Sequence, residues 1–434
     1  MYYIVKPTKG LQGDVKIPGS KSGTARGILL GTMAEGVSRI YNPMPGIDSY
    51  SIIDCCRALG AEIDCNSDDE WIIKGVGVKN LKAPAAVLNV GNSGTGYYLL
   101  TTLASIIDGL TVVTGDYQIC YRPIAPLLKA IREMGGKAIS TRDNELAPLA
   151  IEGKIQGGHT VNFPGVNVQW LIGLLVCCPS LEKDTVLRVD NLGERPYAEL
   201  TIDWLKAAGV TVINKNFEEF IIPGGQTYQP FTKMAPSDWC GATYPMVATA
   251  ITEGSKIKLL NMDVNDFQGE RVFVDIIRDM GGSVEVLNSG KDGVIIEGGK
   301  PLTGIEIDCK NMPDAIPALA VLGCYAQGKT VLKNIEACRL KETDRCKSIV
   351  EELTKMGGKF EETHSSLTIY HSKLHGATLS GHHDHRIVMA STCAALTAEG
   401  ETLIDSAETV GVSFPRFYEE MSGIGANITR LIEE

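Results

Sequence analysis

The chain is predicted to be an α/β protein assembled from six copies of one unit, and three observations predict it. A short phrase that ends a helix recurs six times, at Leu59-Gly60-Ala61, Met134-Gly135-Gly136, Ala208-Gly209-Val210, Met280-Gly281-Gly282, Met356-Gly357-Gly358 and Ile424-Gly425-Ala426. The glycines are spaced by 75, 74, 72, 76 and 68 residues. A second series, out of phase with the first, follows six apolar stretches at Gly36, Gly109, Pro179, Gly254, Gly328 and Gly400, spaced by 73, 70, 75, 74 and 72. Glycine just past a helix supplies the left-handed residue that stops it, so both series read as helix C-termini. The third observation is the period itself. A unit of about 72 residues, with two helices and intervening strands, is longer than the ~20–50 residues of common solenoid repeats. Six such units fit a closed globule of duplicated α/β modules better than an open array.

Composition sets the class. The 434 residues are 44% hydrophobic and 21% charged, as expected of a globular chain with a large core. The net charge of −11 opposes nucleic acid as a partner, although a few converging Lys and Arg suffice for a small anion. The N-terminal MYYIVKPTKG lacks the apolar region of a signal peptide, and the run Trp170 to Cys178 is too short to span a bilayer. The twelve cysteines form no CxxC and mostly fall in apolar stretches, which reads as buried thiols in a reducing cytoplasm. A soluble cytoplasmic protein without a membrane or nucleic-acid partner is the expectation.

The helices of the second series share a design, polar residues first and then an apolar run. The first opens with Pro18-Gly19-Ser20-Lys21-Ser22 and continues through Ala25, Ile28, Leu29 and Met33, a spacing that predicts one buried stripe. The second opens with Gly91-Asn92-Ser93-Gly94-Thr95 and continues through Leu99, Leu103 and Ile106. The others open with Asn167-Val168-Gln169, Ser237-Asp238, Pro313-Asp314 and Asp384-His385-Arg386. Ser, Asn and Asp at these places serve as ordinary caps. They also mark free N–H groups and positive dipole ends that favour anions. Lys21, Arg26, Arg122, Lys341, Arg345 and Arg386 lie at these starts or in the loops between them.

Two acids, Asp314 and Glu342, stand among these cations. Salt-bridged structural carboxylates and proton carriers acting on a bound hydroxyl or alkene are both open readings. The run Gly381-His382-His383-Asp384-His385-Arg386 has the residues of a metal site without the geometry. Adjacent residues on a turn point apart, and no second His/Cys cluster completes a shell. No metal and no cofactor are expected.

Taken together, these motifs resemble the enolpyruvyl transferases, in particular the 5-enolpyruvylshikimate-3-phosphate synthase family. The resemblance covers essentially the whole chain. It is carried by Pro18-Gly19-Ser20-Lys21-Ser22 with Arg26, Gly91-Asn92-Ser93-Gly94-Thr95, Tyr121-Arg122-Pro123-Ile124, Arg195-Pro196-Tyr197, Phe267-Gln268-Gly269, Pro313-Asp314, Arg339 to Arg345 and Asp384-His385-Arg386. It implies an inside-out α/β barrel fold in two domains of three βαβαββ-type repeats each. One domain would combine residues 1–19 with 236–434, the other would be residues 20–235, and the substrates would bind in the cleft between them. The resemblance also implies attack of a shikimate 3-phosphate hydroxyl on phosphoenolpyruvate, followed by loss of phosphate. Asp314 would take the hydroxyl proton and Glu342 would protonate the methylene, with Lys21 and His385 counted in the catalytic group. Lys21, Gly94, Arg122, Gln169, Arg345 and Arg386 would hold phosphoenolpyruvate. Lys21, Ser22, Arg26, Asn167, Gln169, Glu194, Tyr197, Asp314 and Lys341 would hold the ring acid. A monomer without metal is expected.

The departures from the family pattern fall on ligand phosphates. A Ser-Ser-Gln run and a later serine, which hold the acceptor phosphate in the family, are matched here by Asn167-Val168-Gln169 and Glu194. A family arginine is matched by Tyr98 and a late lysine by Val412. One reading is local compensation. The other is an unphosphorylated shikimate-like acceptor, with a lyase or dehydratase that dispenses with phosphoenolpyruvate as the alternative activity.

Overall fold

The computed structural model describes residues 1–432. Twelve α-helices occur among them: α1 (Lys21–Met33), α2 (Ile47–Ala58), α3 (Gly94–Ala104), α4 (Ala125–Glu133), α5 (Gln169–Cys177), α6 (Arg195–Ala207), α7 (Trp239–Ile251), α8 (Phe273–Asp279), α9 (Ile316–Tyr325), α10 (Arg345–Lys355), α11 (His385–Ala395) and α12 (Phe417–Gly423). No helix among the described residues is long and apolar enough to cross a membrane. The chain divides into two compact units, one of Met1–Pro18 with the chain from Ser237 onward, the other of Gly19–Pro236.

Each unit contains three four-stranded sheets with one and the same topology. In the repeat that begins at Leu88, the strand Leu88–Asn89 pairs parallel with Leu110–Thr114, which pairs antiparallel with Leu149–Glu152, which pairs antiparallel with Lys137–Ser140. Helix α3 crosses between the two parallel strands and α4 leads to the hairpin, giving βαβαββ. The parallel step needs such a crossover helix, whereas the hairpin needs only a turn. The repeats that begin at Thr160 and at Glu306 follow the same order without interruption.

The other three repeats are completed by chain that is distant in sequence. Gln12–Lys16 pairs parallel with Lys256–Leu260, so the first unit opens a repeat that its chain resumes only after the whole second unit. Thr232–Met234 returns to pair with Glu35–Tyr41 and closes the second unit. Tyr2–Val5 takes the third position in the last sheet, between Thr402–Ile404 and Ile428–Leu431. The expected six-repeat α/β fold is thus the fold the chain adopts.

The two helix families bury differently. In α1 every residue from Gly23 to Met33 is buried, and α5 and α9 are buried almost end to end. The expected single stripe on α1 is therefore incorrect. It packs against α2, α6 and two strands at once, and a helix surrounded on all sides has no polar face. Small residues permit that closeness, since a Cβ on Gly27 would lie 2.6 Å from Ile40 Cδ1 and 2.8 Å from Trp204 Cζ3. By contrast α10 buries only Arg345, Cys346, Ser348, Ile349, Glu352 and Leu353, a single face. Within each unit the odd-numbered helices form the interior, while the even-numbered helices and the sheets both carry exposed residues.

The first glycine series ends the even-numbered helices as expected. Gly60, Gly135, Gly209, Gly281, Gly357 and Gly425 all have φ between +74° and +113°. After each, the next amide bonds five residues back, as in Ala61 N to Cys56 O (3.1 Å) and Gly358 N to Leu353 O (2.8 Å). This is the Schellman arrangement. The second series does something else. Helices α1, α3, α7, α9 and α11 stop three to five residues before Gly36, Gly109, Gly254, Gly328 and Gly400, at caps without left-handed geometry. Those glycines turn the chain into the following strand, and Pro179 lies in a short 3-10 turn.

Candidate active site

The first unit gathers its predicted residues around one guanidinium. Arg345, the first residue of α10, is 1% exposed. Its Nε donates to Asp384 Oδ2 at 2.7 Å, Nη1 to Asp314 Oδ1 at 2.7 Å, and Nη2 to Glu342 Oε2. Two further cations close on Asp314, with Lys341 Nζ 3.6 Å from Oδ1 and Arg386 Nη2 3.6 Å from Oδ2. Burial alone would raise the Asp314 pKa, but Lys341, Arg386 and Arg345 hold it far below the usual carboxylate range. The guanidinium pKa values of Arg345 and Arg386 are raised against burial, by Asp384, Glu342 and Asp314 for the first and chiefly by Asp314 for the second.

Local structure explains how these groups meet. Asp314 lies in a one-turn 3-10 segment, Pro313–Ala315, immediately before α9. Asp344 caps α10 by accepting from Lys347 N (3.1 Å), which fixes the turn from which Glu342 reaches back to Arg345. Asp384 caps α11 through Arg386 N (2.9 Å) while also accepting from Thr343 Oγ1 (3.2 Å) and Arg345. The sequence marks Asp384 only as a helix opener. Its second role, joining two cation-bearing helix starts, depends on a contact 39 residues away in sequence.

The three nearby histidines face different partners. His382 Nε2 meets Glu352 Oε1 at 2.7 Å, His383 Nδ1 lies 3.4 Å from Ser406 Oγ, and His385 Nδ1 lies 3.8 Å from Asp384 Oδ1. The His385 ring is 1% exposed. Cys240, another residue that the sequence does not single out, offers a thiol within 4.8 Å of carboxylate oxygens of Glu270 and Asp314. Burial pushes its pKa well above that of an ordinary thiol.

The second unit carries the other predicted residues at four helix starts. Lys21 opens α1 behind the Ser20 cap, and its Nζ lies 3.0 Å from Asp48 Oδ2, a carboxylate 2% exposed. Arg26, fully buried, donates from Nε to Thr201 Oγ1 (2.7 Å), from Nη1 to Ser22 O (2.8 Å) and from Nη2 to Tyr197 O (3.4 Å). Burial pulls its pKa down to about 10. Thus Ser22, Arg26 and Tyr197 are brought together, with the guanidinium tying α1 to α6. Gly94 opens α3, and a Cβ there would stand 3.0 Å from Arg122 Nη1, so the Arg122 guanidinium lies directly on that helix start.

Just before α5, Asn167 Oδ1 accepts from Gln169 N, the first amide of the helix, at 3.0 Å. Gln169 Oε1 is buried without a hydrogen-bond donor among the described residues. Glu194 precedes α6 with φ +50° and is 1% exposed. Tyr98 is buried with its hydroxyl donating to Pro123 O (3.1 Å), an oxygen it shares with Trp170 Nε1 (2.9 Å). Val412 is buried at the end of the turn Ala407–Val412.

Comparison with known proteins shows the family. A family model described as EPSP synthase (3-phosphoshikimate 1-carboxyvinyltransferase) matches residues 5–421. A 3-phosphoshikimate 1-carboxyvinyltransferase of Ruminiclostridium cellulolyticum is 43% identical over 418 residues, covering 96% of this chain and 97% of that one. One of Methanocaldococcus jannaschii is 41% identical over 430 residues, covering 98% of each. Among solved structures, an EPSP synthase of Acinetobacter baumannii superposes with a TM-score of 0.83 at 29% identity, covering 99% of both chains. With a family match over nearly its whole length and relatives above 40% identity, the chain belongs to the EPSP synthase family.

Proposed function

We propose that this chain transfers the enolpyruvyl group of phosphoenolpyruvate to a hydroxyl of shikimate 3-phosphate. The observation that carries the reading is the pair of carboxylates, Asp314 and Glu342, held on one buried arginine among Lys341 and Arg386. The reaction needs a base for the attacking hydroxyl, an acid for the methylene carbon, and fixed cations for an anionic transition state. The hydroxyl oxygen bonds to C2 of phosphoenolpyruvate as its proton passes to Asp314, and Glu342 protonates the methylene to a methyl. The resulting tetrahedral intermediate loses a methyl proton and expels phosphate, which regenerates the alkene on the new ether.

The remaining roles follow the family match. Arg345 and Arg386 bind the phosphoenolpyruvate carboxylate, and Arg122 with Gln169 and the Gly94 amide binds its phosphate. Lys21 serves both ligands. Ser22, Tyr197, Lys341, Asn167 and Glu194 face the ring acid, while Arg26 supports that surface from behind through Ser22 O and Tyr197 O. His385, turned toward Asp384, supports the catalytic group without a proton-transfer step of its own. A monomer is the state proposed, and twelve free thiols suit a cytoplasmic setting.

No observation favours the lyase reading. The decisive assay mixes the protein with phosphoenolpyruvate and shikimate 3-phosphate, measures released phosphate, and identifies the ether by mass. Phosphate and ether should form in equal amounts. Shikimate is run in parallel because Asn167, Val168 and Glu194 replace the expected phosphate contacts, and turnover with shikimate alone would change the acceptor. Absence of phosphate release with either acceptor would defeat the reading.

A further inference from the structure

Helix α10 presents Arg345 in its first turn and Glu352 seven residues later, on the same face about 10 Å further along. The segment 380–384 runs along that face in the opposite direction and is bonded to it at both ends. At its start the fully buried Glu352 carboxylate accepts from Ser380 N at 2.9 Å and meets His382 Nε2 at 2.7 Å. At its far end Asp384 accepts from Arg345 Nε at 2.7 Å and caps the helix that carries Arg386. Between these anchors His382 and His383 are both left-handed, with φ of +51° and +52°. Side chains other than glycine hold that conformation only where surrounding contacts impose it.

We propose that His382 and Glu352 are a positioning pair, a latch that holds the 380–384 segment in register while the imidazole is protonated and so sets Asp384, Arg345 and Arg386. This rests on the reading that Arg345 and Arg386 receive a substrate carboxylate. Lys355 Nζ bonds both Glu352 oxygens at 2.8 and 2.9 Å and shares Oε1 with His382, so the carboxylate carries a second cation beside the imidazole. The groups facing the imidazole from α10 are Glu352, Glu351 and Lys355. On the other side Asp405 anchors the same segment by accepting from Gly381 N (2.7 Å) and Ser380 Oγ (3.3 Å), with His383 near Ser406.

The hydrogen bond to Glu352 raises the His382 pKa above 6.5, outweighing burial. A histidine whose folded pKa is raised contributes stability below its unfolded value, and that contribution fades as pH rises through the folded value. The latch is therefore closed near pH 6 and loosens in the alkaline direction. The neutral ring can still donate one N–H, but it loses the charge that makes the bond strong.

Hydrogen exchange of the 380–386 amides, measured on the full chain without substrate and corrected for intrinsic pH dependence, tests the latch directly. Protection in the parent protein should fall at least fivefold between pH 6 and pH 9. His382→Lys, charged throughout that range, should stay protected, and Glu352→Gln should be poorly protected at every pH. An equal pH response in all three proteins overturns the latch. Calorimetric titration with phosphoenolpyruvate should show the dissociation constant rising in parallel for the parent and flat for His382→Lys, with turnover at saturation changing less than twofold. Protection that follows pH while affinity does not overturns the link to the carboxylate. Absence of phosphate release from the parent overturns the functional reading alone, because the exchange result stands without it.

Discussion

Arg345 Nη1 lies 2.7 Å from Asp314 Oδ1, and the Nη2 of the same guanidinium is taken by Glu342. The two nitrogens that would grip a substrate carboxylate in bidentate fashion are therefore occupied by the two acids assigned to proton transfer. An incoming carboxylate must share or displace them. In doing so it removes positive charge from Asp314 and adds negative charge nearby, and both changes raise the Asp314 pKa. On the proposed roles, the cluster would couple substrate binding to the appearance of a base.

This coupling predicts a difference between two pH profiles. In the free protein Asp314 is held far below the usual carboxylate range by Lys341, Arg386 and Arg345. The acidic limb of kcat/KM, which reports the free enzyme, should therefore show no ionisation of Asp314 down to about pH 4. The limb of kcat, which reports the complex, should turn down at a higher pH. Steady-state rates from pH 4 to 9 with both substrates varied decide it, and superimposable limbs would remove the coupling.

Asp314→Asn and Glu342→Gln should each lower turnover by on the order of 10² or more, as expected for general acid and base groups. Each substitution leaves Arg345 with two of its three carboxylates, so the guanidinium stays compensated and the fold should survive. Calorimetric titration should show the substrates binding within about tenfold of the parent. Turnover near the parent level in either variant would reassign the proton transfers.

How much of this was legible in the sequence depends on whether a signal is local. The Schellman glycines Gly60, Gly135, Gly209, Gly281, Gly357 and Gly425 were readable because the requirement for positive φ is met within one turn. The second series misled because Gly36 and its counterparts also need positive φ, but for entering a strand. The single stripe on α1 failed because burial on all sides is set by α2, α6 and two strands, not by the helix's own period. In the site, Asp314, Glu342, Arg345 and Arg386 announced themselves as charges at helix starts. Asp384 as a hub and Asp48 as the partner of Lys21 did not, since the first looks like an ordinary helix cap and the second like an ordinary first-turn acid until a contact distant in sequence is known.

Arg26→Lys tests whether a residue at the expected ring-acid surface is chiefly structural. The Arg26 fork bonds Thr201 Oγ1, Ser22 O and Tyr197 O from a fully buried position. Lysine carries the charge but cannot reproduce that fork. Hydrogen bonds to charged groups contribute roughly 1.5–3 kcal/mol each, so the loss should be about 2–4 kcal/mol of stability. Urea denaturation should show it as a lowered midpoint with an unchanged slope. A stability loss under 1 kcal/mol, with a large rise in KM for the ring acid, would instead place the guanidinium on the substrate.

Gly94→Ala tests the anion site on α3 with a single methyl group. Gly94 is the first residue of the helix, behind the Ser93 cap, and its backbone needs no left-handed conformation. Alanine is therefore acceptable to the helix, and its cost in stability should be small. The added Cβ would stand 3.0 Å from Arg122 Nη1, 3.3 Å from Cζ and 3.4 Å from Nη2. That is too close to the face of a guanidinium, so Arg122 must shift by a few tenths of an ångström, away from the helix start whose amide it flanks. An anion held jointly by that amide and that guanidinium would then lose part of one contact and meet the methyl as well. A penalty of about 1.4 kcal/mol corresponds to a tenfold loss of affinity. The KM for phosphoenolpyruvate should accordingly rise about tenfold, while the KM for the ring acid and the thermal midpoint stay close to the parent values. Gly94→Ala combined with Arg122→Ala should be less than additive, because both substitutions act on one contact. Full additivity, or a rise confined to the ring acid, would place the phosphate elsewhere.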